Sequence, residues 1–134
     1  MGFTGTQKGM TPNQLYILDK IIKEKNPYEV HHGDCVGADT EFHQMCKAFG
    51  SIIIIHPPDI STKRSNCEGD KILPVKPYLD RNKDIVNSCD LLIVCPKTRF
   101  EEIRSGTWST KRYAQKRGVK FIIIYSDGLI FNGE

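Results

Sequence analysis

Residues 51–56 read SIIIIH. Alternate side chains of a strand point to opposite sides of its sheet, so four consecutive isoleucines leave no wet face. A run of this kind fits a strand covered on both sides, which is the setting of a parallel sheet between helices. LLIVC at 91–95 and FIII at 121–124 have the same character, and GFT at 2–4 and YEVHH at 28–32 are shorter or more polar candidates.

Helical patterns fill the intervals. Thr11-Pro12 reads as an N-cap followed by proline at the first helical position. Leu15, Leu18, Ile21 and Ile22 then recur at helical spacing, predicting a helix over 12–25 that stops at Asn26-Pro27. Phe42, Met45, Cys46 and Phe49 give a second helix its apolar stripe, and Gly50 closes it. A third helix is expected at about 77–88, with Ile85, Val86 and Cys89 facing inward, and a fourth at about 106–117, ending at Gly118. The alternation predicts an α/β fold, a Rossmann-like doubly wound parallel sheet of about five strands with helices on both faces. One domain over 1–134 is expected. Residues 57–76, PPDISTKRSNCEGDKILPVK, break the rhythm: they are polar, hold three prolines and show no period. They read as a long loop able to act as a lid. The tail SDGLIFNGE is either a small added strand or loose.

Composition narrows the function classes. The 134 residues are 39% hydrophobic and 26% charged, as in ordinary globular domains, and the net charge is +3. That charge suits an anionic ligand and is too small to announce a nucleic-acid binder. MGFTGTQKG lacks the charged-then-apolar pattern of a secretion signal, and no apolar run approaches the ~20 residues of a membrane span. Cys35, Cys46, Cys67, Cys89 and Cys95 include no CxxC pair, so free thiols in a reducing cytoplasm are expected, with no metal site. His31 and His32 are expected on opposite faces of one strand, which argues against their sharing a metal.

In a doubly wound sheet the ligand sits beyond the carboxyl ends of the strands, at the topological switch point. The loops there carry most of the glycines. TGTQKG at 4–9 offers Gly5 for close approach, Thr6 and Gln7 as donors and Lys8 as a cation; it reads either as a phosphate cradle or as a plain turn. HGDCVGAD at 32–39 places Gly33 and Asp34 after a strand and Gly37 at a helix start, where a ligand or a neighbouring strand can lie. Asp39 there can bond a ribose hydroxyl or cap the helix. Arg81 and Asn82 open the third helix; Arg81 is either a phosphate fork or a solvated charge paired with Asp80 or Asp84. In EEIRSGTWST at 101–110, Arg104, Ser105, Gly106 and Thr107 precede the fourth helix, whose free N–H groups favour an anion. Trp108, the sole tryptophan, either packs under the sheet or stacks on a base.

The GDCVGAD turn at 33–39, RNKDIVNSCDLLIVCP at 81–96 and RSGTWSTKRYAQKRGVKFIII at 104–124 together resemble the SLOG superfamily of Rossmann-like nucleotide-binding proteins. That group includes lonely-guy-type hydrolases and DprA-like proteins, and the resemblance is greatest to small single-domain bacterial and phage members. It implies a site for a nucleotide and a homodimer or higher homo-oligomer, with Trp108, Tyr113 and Phe100 as apolar contact candidates. In the hydrolases a catalytic glutamate follows the Gly-Thr pair by three residues; here that place is held by Thr110. The arginine that acts with it is matched by Arg81.

The resulting expectation is non-catalytic binding of a nucleotide or nucleotide-derived signal, as a sensor or sequestering protein in phage–bacterium defence, with no cofactor. One alternative is a nucleoside-monophosphate phosphoribohydrolase that uses Glu101 or Glu102 with Arg81, since N-glycosidic hydrolysis needs a carboxylate at the sugar carbon. A second is single-stranded DNA binding through Lys111, Arg112, Lys116 and Arg117, which the small net charge argues against.

Overall fold

In the computed structural model, which describes all 134 residues, the isoleucine run forms β3 (Ile52–Ile55). It pairs in parallel with β2 (Glu29–His32), and β2 with β1 (Gly2–Gly5). On its other side β1 pairs in parallel with β5 (Leu91–Cys95), and β5 with β6 (Lys120–Ile124). Two further strands extend this five-stranded core. β4 (Lys71–Ile72) adds in parallel to β3, and β7 (Ile130–Gly133) adds antiparallel to β6. The sheet order is β4-β3-β2-β1-β5-β6-β7.

The expected count of about five strands is therefore corrected to seven. The tail forms β7 by turning back at Ser126–Gly128, where Gly128 has a φ of +89° and its N–H bonds the Tyr125 carbonyl at 2.8 Å. The 57–76 segment is not an unstructured loop either. It contains a 3-10 turn at Ser61–Lys63 as well as β4. Asp70 fastens it to the sheet edge: its carboxylate accepts from Ile53 N at 2.8 Å, and its own N–H bonds the Ile53 carbonyl at 2.9 Å.

The helices fall as the patterns predicted. They are α1 (Pro12–Lys25), α2 (Ala38–Phe49), α3 (Tyr78–Asn87) and α4 (Gly106–Arg117). Thr11 and Gln14 form a reciprocal capping box at the start of α1, and Thr11 Oγ1 donates to the Ser126 carbonyl at 2.7 Å. Gln14 is buried and its amide donates to the carbonyls of Pro96 and Ile124, at 3.0 and 2.9 Å. The start of α1 is thereby tied to the ends of both β5 and β6.

Two apolar clusters sit on opposite faces of the sheet. One joins Leu18, Ile21 and Ile22 of α1 and Phe42 and Cys46 of α2 to Phe3, Val30, Ile53 and Ile55. The other joins Ile85 and Val86 of α3 and Trp108 and Ala114 of α4 to Leu92, Val94, Phe121 and Ile123. Alternate residues of β5 enter alternate clusters, which is why its sequence is apolar throughout. Full burial of each such side chain contributes about 1.5–3 kcal/mol. No helix is long and apolar enough to cross a membrane. All five cysteines are free thiols, with Cys46 and Cys95 buried.

Candidate functional site

Chain order reverses between β1 and β5, and there the loops after β1, β2 and β5 meet the starts of α3 and α4. The loops after β1 and β2 interlock first. Ala38 N donates to the Thr6 carbonyl at 3.0 Å, and a β-carbon on Gly37 would lie 2.4 Å from the Gln7 carbonyl oxygen. With a φ of +93°, Gly37 is therefore a packing glycine whose neighbour is the backbone of Gln7.

The loops enclose a cavity of about 720 Å³. Gly5, Thr6 and Gln7 line it from the end of β1 and the loop after it, and Gly33 and Asp39 from the loop after β2 and the start of α2. Arg81 and Asn82 come from α3, and Arg104, Ser105, Gly106 and Thr107 from the approach to α4. Glu101 and Glu102 also line it. Three residues named from the sequence do not reach it: Asp34, Gly37 and Trp108.

Trp108 is 2% exposed in the cluster beneath α4, and its indole N–H donates to Thr98 Oγ1 at 3.3 Å. Of the two roles open to it, packing is the one it fills, and it is not available as a surface contact. Phe100 is exposed, and Tyr113 is part-buried with its hydroxyl on Asn87 Oδ1 at 3.2 Å.

Asp34 is fully buried, with a φ of +55°, and clamps the 57–76 segment. Its carboxylate accepts from Arg64 Nε at 3.0 Å and from Cys67 N at 2.9 Å, while its carbonyl accepts from Ser65 N at 2.7 Å. Val36 N donates to the Lys63 carbonyl at 3.0 Å. The clamped segment contributes Pro58, Ile60 and Lys63 to the cavity. These three escaped the sequence reading, as did Tyr78, Lys97 and Ile103.

Arg81 is not the solvated charge that its helix position allows. It is 5% exposed and donates to the carbonyls of Gly33, His56 and Tyr78 and to Cys35 Sγ. Neither Asp80 nor Asp84 pairs with it, and Asp84 pairs instead with Lys76 at 2.6 Å. Four bonds leave one of the five guanidinium N–H groups unspent. At the start of α4, Ser105 Oγ accepts from Trp108 N at 3.3 Å and the Ser105 carbonyl from Ser109 N at 2.9 Å. The N–H groups of Gly106 and Thr107 have no partner in the chain, and neither does that of Gln7. Free N–H groups at a helix start carry a partial positive charge.

The ionic balance of the lining is lopsided. Lys8, Lys63, Lys97 and Arg104 line the cavity without a carboxylate partner. Glu101 is gripped by Lys111 Nζ and, at 3.2 Å, by Arg112 Nη1. The hydrogen bond from Lys111 holds its carboxyl below the usual carboxylate range. Burial pushes Asp39 up to about 6, against the Arg81 charge and the N–H bonds from Cys35 and Gly33. The Glu102 carboxylate accepts only from Thr98 Oγ1, at 3.0 Å, while its carbonyl accepts from Ser105 N at 3.3 Å and Arg112 Nη1 at 3.5 Å. Thr110 is 2% exposed and its hydroxyl donates to the Gly106 carbonyl at 2.7 Å, within its own helix. Lys111 is buried, so the basic run on α4 does not present four free cations.

Two histidine pairs flank the site. Asp34 N donates to His32 Nδ1 at 2.9 Å, so His32 carries its proton on Nε2 and donates to His43 Nδ1 at 2.9 Å. Burial pushes His32 down to about 3. On the other face His31 Nδ1 meets His56 Nε2 at 2.8 Å, and His31 Nε2 meets Glu29 Oε2 at 2.8 Å. No group of three or more His, Cys, Asp or Glu is placed to hold a metal ion.

The sheet order and the cavity at its switch point define a Rossmann-like α/β protein. No protein-family model matches the chain, and no curated protein matches it significantly. Among solved structures it is similar to the molybdenum cofactor binding protein from the phototrophic bacterium Rippkaea orientalis. The TM-score is 0.71 at 24% identity, over 94% of this chain and 76% of that one. It is also similar to the structural-genomics target TM1055, with a TM-score of 0.61 at 14% identity, over 90% of this chain and 70% of that one. The resemblance to the SLOG superfamily thus holds at the level of an α/β fold.

Proposed function

We propose that the chain binds a phosphate-bearing nucleotide or nucleotide-derived molecule in the switch-point cavity and does not cleave it. One observation carries this reading. The cavity brings together the unspent N–H groups of Gln7, Gly106 and Thr107, the Arg81 guanidinium and four unpaired cations. Such a lining suits an anion whose oxygens need several donors. Tyr78, beside Gly106, and Ile60 and Ile103 supply flat or apolar surface for a base. The neighbour from Rippkaea orientalis is described as binding a cofactor, which supports a small-molecule role for this fold.

Non-catalysis is supported by the carboxylates. Glu101 is bound to two cations, Asp39 accepts backbone N–H groups beside Arg81, and Thr110 is turned into its helix. Titration calorimetry with nucleoside mono-, di- and triphosphates tests the reading: saturable heat from at least one of them is expected, and silence across the panel overturns it.

A second reading rests on Glu102, which lines the cavity and whose carboxylate has no cationic partner. A phosphoribohydrolase using it would release free base from nucleoside monophosphates, and Glu102→Gln would abolish that release.

A further inference from the structure

We infer that Lys63 reads the phosphate count of the ligand, and that Asp34 positions it to do so. The inference rests on the nucleotide reading of the cavity. Lys63 belongs to the part of the cavity wall contributed by the clamped segment after β3, together with Pro58 and Ile60. It stands at the end of the 3-10 turn, is exposed, and its ammonium has no hydrogen-bond or ion-pair partner. An unpaired lysine on a free loop would be screened and indifferent to position. Here its backbone is held on both sides.

The Lys63 carbonyl accepts from Val36 N, and the next two residues are bonded to Asp34: Arg64 through its side chain, Ser65 through its N–H. Asp34 is 0% exposed and takes part in no contact with the cavity, so its buried charge serves the segment. Thr40 Oγ1 completes the clamp by donating to Ser65 Oγ at 2.8 Å.

The donors of Gln7, Gly106 and Thr107 are backbone groups with fixed places and are enough for one phosphate. A second or third phosphate needs charge at a separate point of the wall. Lys63 offers it from the clamped segment, which lines the same cavity, as a point charge that linked phosphates engage more strongly than a single one. The ligand class is therefore a nucleoside di- or triphosphate, or another nucleotide with linked phosphates, rather than a monophosphate.

The test is calorimetry of the full chain with AMP and ATP at fixed ionic strength, for the wild type, Lys63→Met and Asp34→Asn. Thermal melts accompany Asp34→Asn, since that change alters a buried site. In the wild type ATP is expected to bind at least about tenfold more tightly than AMP. Lys63→Met should weaken ATP at least about fivefold more than it weakens AMP and bring the two ligands within about twofold. Asp34→Asn, if it melts as a folded protein, should narrow the ratio while keeping the lysine. A Lys63→Met variant that retains the wild-type ratio, or that weakens both ligands equally, overturns the inference and leaves the nucleotide reading standing. A wild type that binds neither ligand overturns both.

Discussion

The guanidinium of Arg81 occupies the space that a side chain on Gly33 would need: a β-carbon built there lies 2.6 Å from Arg81 Cζ and 3.1 Å from Asp39 Oδ2. The glycine after β2 is thus required by an arginine from α3. Gly33→Ala should displace the guanidinium from the carbonyls of Gly33 and His56. The expected cost is about 1–3 kcal/mol of stability, with loss of nucleotide binding. Chemical denaturation and calorimetry check the two effects; an alanine variant with wild-type values for both would show that the site tolerates a moved arginine.

Acid should weaken the fold by an amount that Asp39 partly offsets. Burial lowers His32 to about 3 and His56 to about 4, so on acidification below the ordinary histidine range the unfolded chain takes up two protons that the folded chain does not. His43 is shifted in the same direction. Asp39 behaves oppositely. Its folded carboxyl is raised to about 6, so the folded chain gains a proton first, and that stabilisation is lost as pH rises through 6. Near pH 5 His32, His56 and Asp39 together leave about one proton in favour of unfolding on acidification, a slope of roughly 1.4 kcal/mol per pH unit, to which His43 adds in the same direction. Asp39→Asn removes the offset and should steepen the slope by about one proton, read from urea unfolding across a pH series.

Glu101 should prove structural. Its ion pairs with Lys111 and Arg112 pin the loop after β5 to α4. Glu101→Gln is expected to cost of the order of 1 kcal/mol and to leave no trace in a base-release assay, where the wild type is itself expected to stay at background. Base released by the wild type and lost in Glu101→Gln would reverse the assignment.

Trp108 gives a spectroscopic check on the site's boundary. Being 2% exposed, it should emit at short wavelength, resist acrylamide quenching and stay unchanged when a nucleotide binds. Trp108→Ala should cost about 3–5 kcal/mol. Quenching by a nucleotide would mean that a base reaches the indole.

The core of the fold was legible because its signals are local. The Ile52–Ile55 run, the Thr11-Pro12 cap and the closing glycines Gly50 and Gly118, both with positive φ, mark element ends without reference to anything distant. β4 was not legible: Lys71 and Ile72 are exposed and carry no alternation, and they form a strand only because β3 offers them a free edge. In the site, the glycine loops could be placed from strand order alone. Asp34 and Trp108 could not be excluded from it, since each lies beside cavity residues in sequence and points elsewhere for long-range reasons, one toward Arg64 and Cys67, the other into the α4 cluster. Lys63, Ile60 and Tyr78 are brought in by the clamp and by the seating of α3, which no short window records.

The central place of β1 sets the order of assembly during synthesis. Gly2 pairs with His31 on one side and with Leu92 on the other, so the strand translated first waits for one of the later ones before both its edges are satisfied. Until β5 emerges from the ribosome, β1 and β2 hold an open edge and the cavity-lining turn at Thr6 lacks its bond to the Cys95 carbonyl. The nascent chain therefore acquires its pocket in one late step, and a stalled product ending before β5 has neither a finished sheet nor a place to bind.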